Sequence, residues 1–171
     1  DKISQKLNVY VPASNAPEID IKNEFVDVVP VNDARPIDGS VWSTGEMQGA
    51  LETITIFEQA ILIIRDNLVY VFTGCAHPGI VPIVNKARDL FPDKAIALAA
   101  GGFHLLNKSP AQIQEISDRL NEMQVQKIAP SHCTGDKAIE FFRSEWKERF
   151  IDFNIGDDFK IGISKPPRKG L

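Results

Sequence analysis

The chain has 171 residues, of which 43% are hydrophobic and 25% are charged, as is ordinary for one globular domain. A formal net charge of −4 argues against a general nucleic-acid-binding protein, whose surface would be basic. The longest apolar runs hold about five or six residues, against about 20 for a membrane-spanning helix, so we expect neither nucleic acid nor a membrane as a partner.

The two cysteines, Cys75 and Cys133, each lie within two residues of a histidine and form no disulfide framework. Free thiols in a reducing compartment are the simpler interpretation, so we expect a cytoplasmic protein. The sequence begins at Asp1 without a methionine, which suggests a processed or truncated chain. We expect a single domain or half-domain over 1–171, with an irregular, antiparallel β segment, a set of β-α units and a tail, at 1–66, 67–165 and 166–171.

In the first segment, β-branched residues cluster at 7–11 and 25–29 and predict two short strands. The region 30–45 is rich in turn residues, which favours short antiparallel strands. A buried strand over 59–64 and a hairpin turn at 65–67 follow.

From Leu68 onward the pattern becomes one of alternating strands and helices. A continuous apolar run predicts a buried strand at 68–72, and further strands are predicted at 95–100 and 126–130. Helices are predicted to begin near Pro78, at a Ser109 capping box with proline at the first helical position, and after Gly135. Two short closing strands are predicted at 150–153 and 159–163.

All three histidines, His77, His104 and His132, follow apolar runs and lie close to glycines. They are separated by 27 and 28 residues, the length of one strand, one crossover helix and their connections. A parallel sheet brings the carboxyl ends of its strands to one edge, where ligands bind. Three imidazoles at that edge predict a metal or catalytic site.

Simpler roles stay open for the residues of these loops. His77 could cap the helix that follows it, and Ser131 or Thr134 could cap the third helix. The free N–H groups at the start of that helix would favour an anion such as phosphate. His104 follows a double glycine that permits either a left-handed turn or close approach of a substrate.

Other candidate groups are weaker. Cys75 and His77 together with His132 and Cys133 would supply four zinc ligands, but a Cys-x-His pair is tighter than the common zinc knuckle. Glu46 and Glu58 border the turn-rich region and a strand, and we expect surface roles for both.

Five motifs in order resemble one known family: Trp42-Ser43-Thr44-Gly45-Glu46, Glu58-Gln59-Ala60-Ile61-Leu62, Thr73-Gly74-Cys75-Ala76-His77-Pro78-Gly79-Ile80, Gly101-Gly102-Phe103-His104-Leu105 and Pro130-Ser131-His132-Cys133-Thr134-Gly135. The chain resembles the metallo-β-lactamase superfamily over roughly residues 40–165. The similar branch is that of metal-dependent hydrolases of β-lactamase superfamily II, which includes an archaeal dihydropterin–ribofuranosylaminobenzene 5′-phosphate synthase.

The resemblance implies an α/β fold (α+β by some schemes), namely the carboxyl-terminal β-α half of an αββα sandwich. His77 matches a ligand of the first metal, and His132 matches a ligand of the second. His104 matches a histidine that faces the substrate, so the resemblance implies a catalytic and substrate-binding role for it. Gly102 and Thr134 are expected to contact substrate. The implied cofactor is a pair of divalent ions, zinc first, with manganese or iron as alternatives, acting on an ester or a phosphate-bearing, possibly pterin-type substrate.

The sequence also departs from the family. It has no histidine before His77, so the His-x-His-x-Asp-His motif is absent, and Ala99-Ala100-Gly101-Gly102 replaces the usual bridging aspartate. We therefore expect the carboxyl-terminal half of such an enzyme, inactive alone, with an exposed inner sheet face that pairs with the missing half or a second copy. The alternative is a non-catalytic scaffold module that retains a degenerate metal site.

Overall fold

A six-stranded mixed sheet forms the framework of the computed structural model, which describes residues 6–154 and 156. The strand order is β3-β4-β7-β8-β9-β10, with β8, β9 and β10 parallel and the remaining pairs antiparallel. The strands span the following ranges: β1 Leu7–Pro12, β2 Val26–Val31, β3 Asp33–Asp38, β4 Val41–Gly45, β5 Met47–Leu51, β6 Ile54–Glu58, β7 Ile61–Arg65, β8 Leu68–Thr73, β9 Ala95–Gly102 and β10 Lys127–Ser131.

Three helices accompany the parallel strands: α1 Ile80–Leu90, α2 Pro110–Glu122 and α3 Asp136–Trp146. The predicted capping box at the start of α2 is confirmed, since Ser109 Oγ accepts from the Gln112 N–H and the Gln112 side chain accepts from the Ser109 N–H. Helix α1 connects β8 to β9 and α2 connects β9 to β10, as parallel strands require, and α3 follows β10. The predicted β-α pattern of this region is confirmed, and the α/β fold class with it.

The three helices pack on one face of the sheet. Val69 and Val71 of β8 join Ile83, Leu120 and Phe142 of the helices in one buried cluster. Burial of each such side chain contributes roughly 1.5–3 kcal/mol. This packing fixes the three parallel strands, and therefore the loops at their carboxyl ends.

The opposite sheet face is buried as well. Tyr70, Leu98 and Ala129 are at most 4% exposed, and Ile151 and Phe153 from the segment after α3 pack against them. The expectation of an exposed inner sheet face is wrong, because the chain itself covers these residues. An exposed apolar sheet therefore gives no argument for a partner.

The amino-terminal segment adds two small sheets beside the main one. Strands β1 and β2 pair in parallel, whereas β5 and β6 form an antiparallel hairpin. The antiparallel β3–β4 pair lies in the region predicted to hold such strands. The hairpin places Glu58 at the end of β6, next to the functional loops.

Some predicted boundaries differ from the observed ones. The strand predicted over 59–64 is β7 at Ile61–Arg65. The region 150–153 holds a single bridge, between Phe150 and Ile128, instead of a strand. The predicted strand 159–163 and the tail 166–171 lie outside the described residues, and the division into segments stays a prediction. Within residues 6–154, no helix has the length and apolar character of a membrane-spanning segment.

Candidate metal centre

The loops after β8, β9 and β10 meet at one edge of the sheet and carry the three histidines. Each loop holds one non-glycine residue in the left-handed region: Ala76 at φ 56°, His104 at φ 52° and His132 at φ 50°. Such residues are uncommon and cluster at functional sites. The histidines divide into two groups, because His77 lies against His104 and His132 lies against the two cysteines.

His77 is held by Glu58, which the β5–β6 hairpin delivers. Its ring Nδ1 hydrogen-bonds Glu58 Oε1 at 2.6 Å, and its backbone N–H donates to Glu58 Oε2 at 2.8 Å. Since the carboxylate accepts, Nδ1 is the donor, and in the neutral ring Nε2 is then the nitrogen with a free lone pair. A carboxylate behind a histidine in this way is the usual outer partner of a metal ligand.

The β5 strand passes directly over His77. A Cβ at Gly49 would lie 2.6 Å from the His77 carbonyl carbon and from Pro78 N. Only glycine permits this approach, so Gly49 and Glu58 together fix the His77 loop. Neither contact was predicted, since Glu58 had been expected to have a surface role.

His104 packs against His77, with ring centroids 4.3 Å apart. Burial lowers the pKa of His104 below its usual 6.5, and the neighbouring His77 lowers it further. Its Nδ1 is buried and has no hydrogen-bond partner within the described part of the chain. A neutral ring with a vacant nitrogen suits a group that binds a metal or exchanges a proton with a substrate.

His132 lies in a cluster with Cys75 and Cys133, whose ligand atoms are all within 4.8 Å of one another. Cys133 Sγ donates to the Cys75 carbonyl oxygen at 3.4 Å. Burial, together with the hydrogen bond to Cys133, raises the pKa of Cys75 to about 11, so this thiol is protonated at neutral pH when no metal is bound. Three of the four residues of the less favoured zinc hypothesis are thus together.

Gly102 and Thr134 lie beneath this edge. Thr134 is fully buried, and its hydroxyl donates to the Ser131 carbonyl at 2.7 Å and accepts from the Phe103 N–H at 3.0 Å. A Cβ at Gly102 would lie 2.6 Å from Cys133 Sγ. Both residues hold the loops together here, and their expected contact with substrate stays a prediction.

The alternative capping roles are wrong. Gly79 and Gly135 occupy the N-cap positions of α1 and α3, and neither cap has a side-chain hydrogen bond. His77, Ser131 and Thr134 therefore do not cap these helices. The His77 imidazole is therefore not used to cap helix α1.

Two clefts open beside the histidines. One, of about 560 Å³, is lined by His77, His104 and Cys133 among others. The second, of about 690 Å³, is lined by His132 with Arg143 and other polar residues. The first cleft is large enough for a small molecule, and both imidazoles of the His77–His104 pair border it.

The donor set fits a divalent metal. His77 has one ring nitrogen fixed by a carboxylate and the other available, and His104 Nδ1 is buried without a partner. Among the described residues, Cys75, His132 and Cys133 form the group of three possible ligand side chains, and His77 is not part of it. Assignment of His77 and His132 as ligands stays a prediction, with the two residues in adjoining groups.

Comparison with known proteins gives relatives for part of the chain. No protein-family model matches. The chain is 33% identical over 104 residues, 61% of its length, to a 7,8-dihydropterin-6-methyl-4-(β-D-ribofuranosyl)-aminobenzene-5′-phosphate synthase of Methanocaldococcus jannaschii. It is 37% identical over 67 residues, 39% of its length, to the uncharacterized protein MJ0448 of the same organism. The matches span only 35% and 25% of these relatives.

A solved structure agrees with the sequence relatives. The crystal structure of Tm1679, a metal-dependent hydrolase of the β-lactamase superfamily, superposes with a TM-score of 0.64 and 25% identity. The match covers 75% of this chain and 57% of that one. The resemblance inferred from the five motifs is thereby confirmed. The chain is a homologue of metallo-β-lactamase superfamily enzymes and has part of their mixed α/β fold.

Proposed function

We propose that this chain supplies one part of the metal centre of a hydrolase-like enzyme acting on an ester or phosphate-bearing, possibly pterin-type substrate. The observation that carries the proposal is the His77–Glu58 pair beside His104 at the mouth of the cleft. A partly buried carboxylate that fixes one ring nitrogen and leaves the other available is typical of a metal-binding histidine. The similarity of the chain to a synthase and to a metal-dependent hydrolase supports the same class.

Each residue has a distinct task in this proposal. His77 and His132 bind divalent ions, and Glu58 orients the His77 ring. The ions would lower the pKa of a bound water and neutralise charge on the substrate. His104, held neutral by burial, binds the substrate in the cleft and exchanges a proton with it through a ring nitrogen.

We further propose that the chain alone is inactive. Catalytic zinc takes three protein ligands, and the sequence lacks the His-x-His-x-Asp-His motif that would complete them around His77. The remaining ligands would come from an additional segment that carries this motif or from a second copy of the chain. We place the protein in the cytoplasm, because its two cysteines are free.

The test compares the chain alone with the chain joined to a segment carrying the motif. Zinc, manganese or iron(II) is added, and hydrolysis of p-nitrophenyl acetate and p-nitrophenyl phosphates is followed. We expect metal-dependent turnover only in the joined form, with loss in His77→Asn and His132→Asn. A joined, folded protein without divalent metal by elemental analysis and without turnover would support the scaffold alternative instead.

A further inference from the structure

Two thiols and one imidazole meet between β8 and β10, in a cluster outside the His77–His104 pair. The ligand atoms of Cys75, His132 and Cys133 all lie within 4.8 Å of one another. Both cysteines are half-buried and free, and His132 is exposed. The two sulfurs come from residues 58 positions apart, so the fold and not local sequence brings them together.

The backbone beneath the cluster is built to permit this approach. Gly102 of β9 passes under both cysteines, where a Cβ would lie 2.6 Å from Cys133 Sγ and 3.2 Å from Cys75 Cα. The Gly102 N–H donates to the Gly74 carbonyl at 2.8 Å, which ties the Cys75 loop to β9. A side chain at position 102 would displace the Cys133 sulfur from the cluster.

We propose that Cys75, Cys133 and His132 bind one thiophilic divalent ion of the zinc class through two thiolates and one imidazole. The inference deepens the proposed function and rests on its assignment of His132 as a ligand. It adds two sulfur ligands and selects zinc over manganese, because thiolates favour softer ions. On binding, each thiol gives its proton to solvent and its sulfur bonds the ion.

The geometry and charge agree with such a site. Bonds of about 2.0–2.3 Å to a tetrahedral zinc place neighbouring ligand atoms roughly 3.3–3.8 Å apart. Atoms now within 4.8 Å need to close by about 1 Å. Two thiolates balance the charge of the ion, and three protein ligands leave a fourth position open, as in catalytic sites. Cys133 also lines the cleft beside His77 and His104, so a substrate bound at the open fourth position of the ion would extend into this cleft.

Cobalt(II) is the probe for the experiment, because a sulfur–cobalt bond gives a near-ultraviolet charge-transfer band that nitrogen and oxygen ligands do not. The reduced, metal-free chain is titrated with cobalt(II) without oxygen. We expect one cobalt per chain and a band that falls to about half in Cys75→Ser or Cys133→Ser and vanishes in the double variant. His132→Asn should weaken binding by about tenfold or more and keep the band.

His77→Asn is the matched control, since His77 lies outside the cluster, and its band should be unchanged. Cobalt binding without the band, no binding by the folded, reduced chain, or a band indifferent to both cysteines would overturn the inference. If cobalt binds without giving the band, and this binding is lost in His77→Asn, the proposed function would be supported and the inference about the cysteines would not. A full band in a joined protein that turns over no substrate would support this site and count against the proposed function.

Discussion

Replacement of Glu58 by glutamine tests whether this carboxylate sets the chemistry of His77. The carboxylate accepts two hydrogen bonds from His77, at 2.6 Å and 2.8 Å, and the two side chains are only 24% and 12% exposed. In Glu58→Gln the amide oxygen can still accept from the backbone N–H. The amide nitrogen then faces Nδ1 as a donor, so the ring proton must move to Nε2.

The expected magnitude follows from that exchange. A hydrogen bond to a charged group contributes about 1.5–3 kcal/mol, and loss of such an outer partner lowers metal affinity about 10–100-fold. The two figures agree, since a tenfold change corresponds to about 1.4 kcal/mol. Zinc binding through Nε2 should therefore weaken by one to two orders of magnitude in Glu58→Gln.

Nitrogen-15 NMR of the imidazoles measures both effects. In the metal-free protein the tautomer of His77 should change from Nδ1–H to Nε2–H, and a zinc titration followed on the His77 resonances should give the lowered affinity. Glu46→Gln is the control, because Glu46 instead accepts from the backbone and hydroxyl of Ser14. An unchanged tautomer and affinity in Glu58→Gln would refute the reasoning.

Three further predictions concern stability, each measured by urea unfolding. Gly102→Ala should cost about 1–3 kcal/mol because its Cβ would lie 2.6 Å from both Cys133 Sγ and the Gly74 carbonyl oxygen. Gly74→Ala, whose Cβ meets nothing within 4 Å, should cost far less, and equal losses would contradict this. Trp146→Phe should cost about 1–3 kcal/mol by leaving the Ser117 hydroxyl without its indole partner, and adding Ser117→Ala should recover part of that loss; a further loss would oppose it. Because the folded state lowers the pKa of His104, the contribution of this residue to the free energy of unfolding is complete above the ordinary value of 6.5 and declines as pH falls through the lower folded value. The metal-free His104→Asn variant should therefore lose less stability than the parent between about pH 7.5 and pH 5. Equal losses in the two proteins would count against this prediction.

The parallel part of the sheet could be predicted because its signals are local. Strands β8 and β9 are continuous apolar runs, and α2 begins with a complete capping box. The regular spacing of the histidines follows from these elements. A pattern of this kind places residues at strand ends without depending on distant contacts.

The division of the site into two groups could not be predicted, because it depends on long-range contacts. Glu58 reaches His77 through a hairpin that crosses over the loop, and in the sequence it is one of 23 acidic residues. Cys133 approaches Cys75 only because Gly102 passes beneath it. The cover of the second sheet face by Ile151 and Phe153 depends likewise on the path of the chain after α3.

The left-handed backbone at Ala76, His104 and His132 has a consequence for how this protein can change. Each such residue costs about 1–3 kcal/mol, a sizeable part of the 5–15 kcal/mol that ordinarily separates folded from unfolded chains. Glycine at these positions would relieve the strain, so selection for heat resistance alone would favour it. At two of the three positions that relief removes an imidazole. Thermal robustness and retention of the histidines are therefore opposing demands at the same residues.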